Sequence, residues 1–129
     1  MESSKKGKRF WGRAFWKSIR CAAVAYRPEN YVHFKTFMYS LTYLLPCDEC
    51  REHLAMNLEN IPMEPYSASN EDMFFWTYIL QDTVNRQINE KNGYVQGSED
   101  YHSSPEYRVV KRKYFSALVD EDCKSCGNY

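Results

Sequence analysis

Near the middle of the chain a helical run of apolar residues meets a proline and then two cysteines: Leu44-Leu45-Pro46-Cys47-Asp48-Glu49-Cys50-Arg51-Glu52-His53. Pro46 has no N–H to give a helix and disfavours helical geometry in the residue before it. One helix must therefore stop here, and another can start at Cys47. Two thiols three positions apart at a helix start can close a small disulfide ring. The free N–H groups and positive dipole end of that helix favour the thiolate. Such a pair can undergo thiol–disulfide exchange. Spacing alone also allows a static bridge or a pair of zinc ligands.

The other segments punctuate themselves in the same way. Trp11, Phe15, Trp16, Ile19, Ala22, Ala23 and Tyr26 recur at helical spacing, predicting a helix from Arg9 to Tyr26 that Arg27-Pro28 ends. A second helix is expected from about Glu29 to Leu45. A third, from about Cys47, carries Leu54 and Leu58 and fades near Asn60, before a Pro62/Pro65 loop. Ser69 and Asp72 form a capping-box pattern opening the longest helix, Asn70 to about Glu90, which Asn92-Gly93 closes. Ser104-Pro105-Glu106 predicts the start of a fifth, short helix ending near Val119. Period-two alternation is absent, so the expected fold is all-α: a bundle of four helices plus a fifth. That excludes a thioredoxin-type setting, in which the cysteines sit beside a βαβ unit.

The 129 residues suffice for one domain with its own core. The expected division is a basic arm (1–9) with Lys5, Lys6, Lys8 and Arg9, a domain over 10–119, and a tail (120–129) with a second pair, Cys123-x-x-Cys126. Zero net charge gives no nucleic-acid signature. No apolar run follows the N-terminal lysines, and none reaches membrane-spanning length. Neither a secretory signal nor membrane insertion is expected. Five cysteines without an export signal read as metal-binding or redox rather than as a passive framework.

Three stretches then stand in order over roughly residues 11–91. They are Trp11-Gly12-x-x-x-Trp16-x-x-Ile19-Arg20 leading to Tyr26-x-Pro28, Cys47-x-x-Cys50-x-x-His53, and Trp76-Thr77-Tyr78 with Gln81-Asp82-x-Val84-Asn85-x-x-Ile88-Asn89. Together they resemble the W-G-x-x-x-W-x-x-L-H, C-x-x-C-x-x-H and H-N-x-V-N-x-x-L signatures of the Erv/ALR family of FAD-dependent sulfhydryl oxidases, most closely the branch carried by large DNA viruses. Arg20 and Gln81 stand where that family has histidines, Asp82 where it has asparagine, and Glu90 near its lysine, with Lys91 following directly.

The resemblance implies FAD held between the helices and oxidation of protein dithiols, with electrons passed to O2 to give H2O2. By position it implies FAD contacts at Gly12, Trp16, Arg20, Tyr26, Cys50, His53, Trp76, Gln81, Asp82, Val84, Asn85, Asn89 and Lys91. Cys47 and Cys50 are the catalytic pair. Cys47, at the helix start, is expected to be the more accessible sulfur that exchanges with substrate, and Cys50 the sulfur facing the flavin. Glu49 opposes thiolate formation by like charge, while Arg51 favours it. Cys123 and Cys126 would be a redox shuttle, and Cys21 an inert thiol. A homodimer is expected, with helix faces rich in Phe and Tyr at its interface. The expected location is the cytoplasm, that of an infected cell and the virion if the chain is viral. Two other readings stay open: a zinc module built on Cys47, Cys50, Cys123 and Cys126, and a scaffold without catalysis. No metal is expected in the oxidase reading.

Overall fold

A proline and a left-handed glycine fix two of the turns in the computed structural model, which describes residues 5–118. Its helices are α1 Lys5–Ala25, α2 Tyr31–Leu44, α3 Asp48–Asn60, α4 Asn70–Asn92 and α5 Tyr107–Leu118. Short 3-10 turns occupy Pro28–Asn30 and Glu64–Tyr66. No strand occurs among the described residues, as the apolar period requires. Leu45, ahead of Pro46, is extended at φ −62° and ψ 137°, which ends α2. At the start of α4 the Ser69 hydroxyl accepts the Asp72 N–H at 3.1 Å. At its end Gly93 takes φ 65°, and the Tyr94 N–H returns to the Asn89 carbonyl at 2.9 Å.

Two boundaries differ from expectation. Helix α1 is already formed at Lys5, ahead of the expected start at Arg9, so residues 5–9 of the expected arm are helical. Lysine and arginine are good helix formers, and nothing between Lys5 and Arg9 except Gly7 weakens the helix. Helix α5 begins at Tyr107, three residues after its expected cap. Ser104 does not cap it: its Oγ accepts from Asn85 Nδ2 at 3.2 Å while its hydroxyl donates to Asp82 Oδ1 at 2.7 Å. The Glu106 carbonyl takes the first helical bonds instead, from Val109 and Val110. The expected tail, with Cys123 and Cys126, lies outside the described residues.

Helix α1 packs chiefly along α4, α2 along α3, and α5 against α1. The centre is built from α4: Trp76, Phe74, Met73 and Leu80 are fully buried, together with Met38 of α2. Phe34 meets Trp76 edge-on at 6.2 Å. Phe74 lies 5.8 Å from Tyr114 and 5.3 Å from Phe115, which fastens α5 to the bundle. Of the aromatic side chains, Tyr26, Phe34, Phe74 and Trp76 are buried, and Phe15, Trp16, Tyr31 and Phe37 are among those packed partly buried against them. Among the large apolar side chains left exposed are Phe10, Val32, Tyr43 and Leu44.

Candidate active site

Cys47 and Cys50 form a disulfide with Cα atoms 5.2 Å apart. Cys47 is the N-cap of α3. Its backbone is extended, its carbonyl accepts the Arg51 N–H at 3.0 Å, and its sulfur accepts the Cys50 N–H at 3.2 Å. The proline-driven break thus sets the Cys47 sulfur on an otherwise unpaired N–H of the helix start, with Cys50 in the first turn of the same helix. The expected order of exposure is inverted. Cys47 is buried at 8% exposure, while Cys50 is half-exposed. Capping folds the Cys47 sulfur back over its own helix, and its N–H is tied to the Leu45 carbonyl at 2.8 Å.

Charge around the ring is paired. Arg51 forms an ion pair with Asp48, and its other terminal nitrogen donates to the Leu45 carbonyl, clamping the α2–α3 corner. Glu49 pairs with Lys91 from the last turn of α4 and lies 4.0 Å from His53 Nε2.

The residues aligned with the flavin signatures divide into three groups. Tyr26 and Trp76 are core: the Tyr26 hydroxyl donates to the Ser67 carbonyl at 2.6 Å, and Trp76 Nε1 donates to the Ile61 carbonyl at 2.9 Å. Trp16 packs against the same core, and Val84 is half-buried. Burial first, then the neighbouring Tyr31 and Glu29, raises the Tyr26 hydroxyl above the ordinary tyrosine value. A second group shares one face of α4 and meets the 102–104 segment. Asp82 accepts from Ser104, Asn85 Nδ2 donates to Ser104 Oγ at 3.2 Å, and Asn89 exchanges two hydrogen bonds with the His102 backbone at 2.8 and 2.9 Å. Asp82 also pairs with Arg86 at 3.1 Å. This segment was not legible from sequence. By family position Asn85 and Asn89 were expected to face a flavin, and nothing in the residues between Tyr94 and Pro105 marked that segment as their partner.

The third group has polar atoms to spare. Among the described residues, three buried side-chain atoms lack a partner in the chain: Trp11 Nε1, Arg20 Nε and Gln81 Oε1. All belong to α1 or α4, the most closely packed pair of helices. Each such group costs roughly 1–3 kcal/mol if left unsatisfied. Two donors and an acceptor suit a polar, heteroaromatic ligand, so these residues fit FAD. Arg20 also lies over the Tyr114 ring at 5.6 Å, which fixes its head group. At Gly12 a Cβ would stand in open space, so the chain's own packing does not require a glycine there.

An open depression of about 510 Å³ elsewhere, on α2, is lined by Lys35, Thr36, Tyr39, Ser40 and Tyr43 and shares no residue with this set. No group of three or more potential metal ligands occurs among the described residues; of the four cysteines in the zinc reading, Cys47 and Cys50 are joined in the disulfide, and Cys123 and Cys126 lie outside those residues. No helix among the described residues is long and apolar enough to cross a membrane.

Comparison with known proteins agrees with the sequence motifs. The model of the Erv1 / Alr family matches residues 13–107. A protein of Invertebrate iridescent virus 3 named as an FAD-linked sulfhydryl oxidase is 24% identical over 86 residues, covering 64% of this chain and 58% of that protein. One of Acanthamoeba polyphaga mimivirus with the same designation is 29% identical over 86 residues, covering 63% and 60%. The chain thus spans somewhat under two thirds of the length of these relatives. No solved structure matches it.

Proposed function

The chain belongs to the Erv1/Alr family, and on that premise we propose that it is an FAD-dependent sulfhydryl oxidase of protein dithiols. The observation that carries this is the Cys47–Cys50 disulfide set on the first turn of α3. A substrate thiolate attacks one sulfur of the bridge, and the other leaves as a thiolate on the helix N-terminus. A second substrate thiolate then resolves the mixed disulfide, leaving substrate oxidised and the Cys47/Cys50 pair reduced. When bound, FAD supplies the acceptor for those two electrons, with O2 as final acceptor and H2O2 as product. Trp11, Arg20 and Gln81 would hold it through the polar atoms that lack a partner in the chain, and by family position Gly12, Trp16, Tyr26, His53, Trp76, Asp82, Val84, Asn85 and Asn89 would line its site. Cys50 faces it, and Cys47 exchanges with substrate.

The catalytic unit in this reading is residues 10–119, and Cys123 and Cys126 relay electrons from substrate to Cys47–Cys50. The chain works as a homodimer, a role for which exposed Val32, Tyr43 and Leu44 on α2 are available. The viral origin of both relatives supports the cytoplasm of an infected cell as its site of action.

The test is an absorption spectrum of the untreated protein, before and after dithiol under anaerobic conditions, followed by O2 uptake in wild type and Cys50→Ala. Yellow protein bleached by dithiol, with uptake lost in Cys50→Ala, supports the reading. A colourless protein that takes up no FAD and turns over no dithiol ends it.

A further inference from the structure

Two acids, Asp48 and Glu49, sit inside the Cys47–Cys50 ring, where each negative charge opposes ionisation of the thiols once the bridge is reduced. The fold gives each a cation. Arg51 answers Asp48 from the same helix. Lys91 answers Glu49 from another, with its ammonium group on the Glu49 carboxylate. The pair joins two helix ends that each favour it, an acid in the first turn of α3 and a base in the last turn of α4. Among the described residues, the other charged or titratable groups next to these in the chain are His53, whose Nε2 lies 4.0 Å from Glu49, Glu52 on α3, and Glu90 beside Lys91. The last two turns of α2, Phe37–Leu44, carry none but Tyr39 and Tyr43.

Exposed ion pairs contribute little to folding stability, so the consequence to look for is electrostatic. We propose that Lys91 is a positioning residue of the exchange centre, which by neutralising Glu49 keeps the Cys50 thiol acidic enough to ionise near neutral pH. The family alignment alone would spend Lys91 on the flavin; the Lys91–Glu49 pairing gives it a second task. The inference rests on the redox reading of Cys47–Cys50, but it does not require FAD.

The experiment is alkylation by iodoacetamide of the reduced full-length protein between pH 5 and 9. Fragment mass spectrometry separates Cys50 from Cys47, Cys21, Cys123 and Cys126. Lys91→Gln should slow Cys50 modification at neutral pH by roughly three- to tenfold and displace its profile to higher pH, because the Glu49 charge is then uncompensated. Glu49→Gln should react faster than wild type. The double variant should recover at least the wild-type rate, Lys91→Arg should keep it, and the Cys21 profile should not move. A Lys91→Gln profile superposed on wild type, or a double variant as slow as Lys91→Gln, overturns the proposal. Should Lys91→Gln fail to fold, Glu49→Gln decides alone, and a rate at or below wild type overturns it. Flavin absorbance read on the same samples tests the oxidase assignment separately.

Discussion

At the residue scale, Arg20 is where this chain departs most consequentially from the family pattern. A histidine can lose its charge near neutral pH, whereas a guanidinium keeps it. Its Nε is buried without a partner in the chain, and its head group is steadied on Tyr114. A hydrogen bond from a charged donor is worth about 1.5–3 kcal/mol. Arg20→Ala should therefore weaken FAD binding by roughly ten- to a hundredfold, read by quenching of flavin fluorescence. An unchanged affinity would remove Arg20 from the binding set. The two sulfurs make a second prediction. Their burial is the reverse of what position at a helix start suggested, yet substrate exchange is assigned to Cys47. Cys50→Ser, with Cys47 first converted to a mixed disulfide with thionitrobenzoate, should exchange that group for a substrate thiol and release thionitrobenzoate, while Cys47→Ser labelled in the same way on Cys50 should exchange little. The reverse pattern in a mass spectrum would exchange the two roles.

At the scale of elements, helix ends set the geometry. Helix α4 carries the core and the polar row, and its length is fixed at both ends. Ser69→Ala removes the acceptor for the Asp72 N–H and should cost about 1 kcal/mol. Gly93→Ala places a Cβ in open space, so only the left-handed backbone opposes it, at about 1–2 kcal/mol. Both are measured by urea denaturation. These caps were legible, because Ser and Gly act through local chemistry. The start of α5 was not. Ser104 has the residue type of a cap, but a carboxylate and an amide on α4 take its hydroxyl. A local rule gave way to a tertiary hydrogen bond.

At the scale of the molecule, one buried and two half-buried tyrosines set an alkaline limit. Burial first, and nearby acids after it, raises the hydroxyls of Tyr31 and Tyr107 as it does that of Tyr26. Above the ordinary value of 10.0 the unfolded chain releases these protons while the folded chain retains them, so stability falls as pH rises. Thermal melts should show a midpoint steady up to about pH 9 and declining beyond pH 10. Tyr26→Phe should flatten that decline while losing the Ser67 hydrogen bond at all pH values.

The amino-acid sequence by itself determined the helical class, the order of the five helices, the break at Pro46 and the closeness of Cys47 to Cys50. Each of these follows from interactions within a few residues: the 3.6-residue apolar period, the missing proline N–H and the caps. Only the tertiary structure decided that the 102–104 segment covers Asp82, Asn85 and Asn89, and that Lys91 meets Glu49. Those pairings join residues distant along the chain, and a polar side chain announces its need for a partner without naming it.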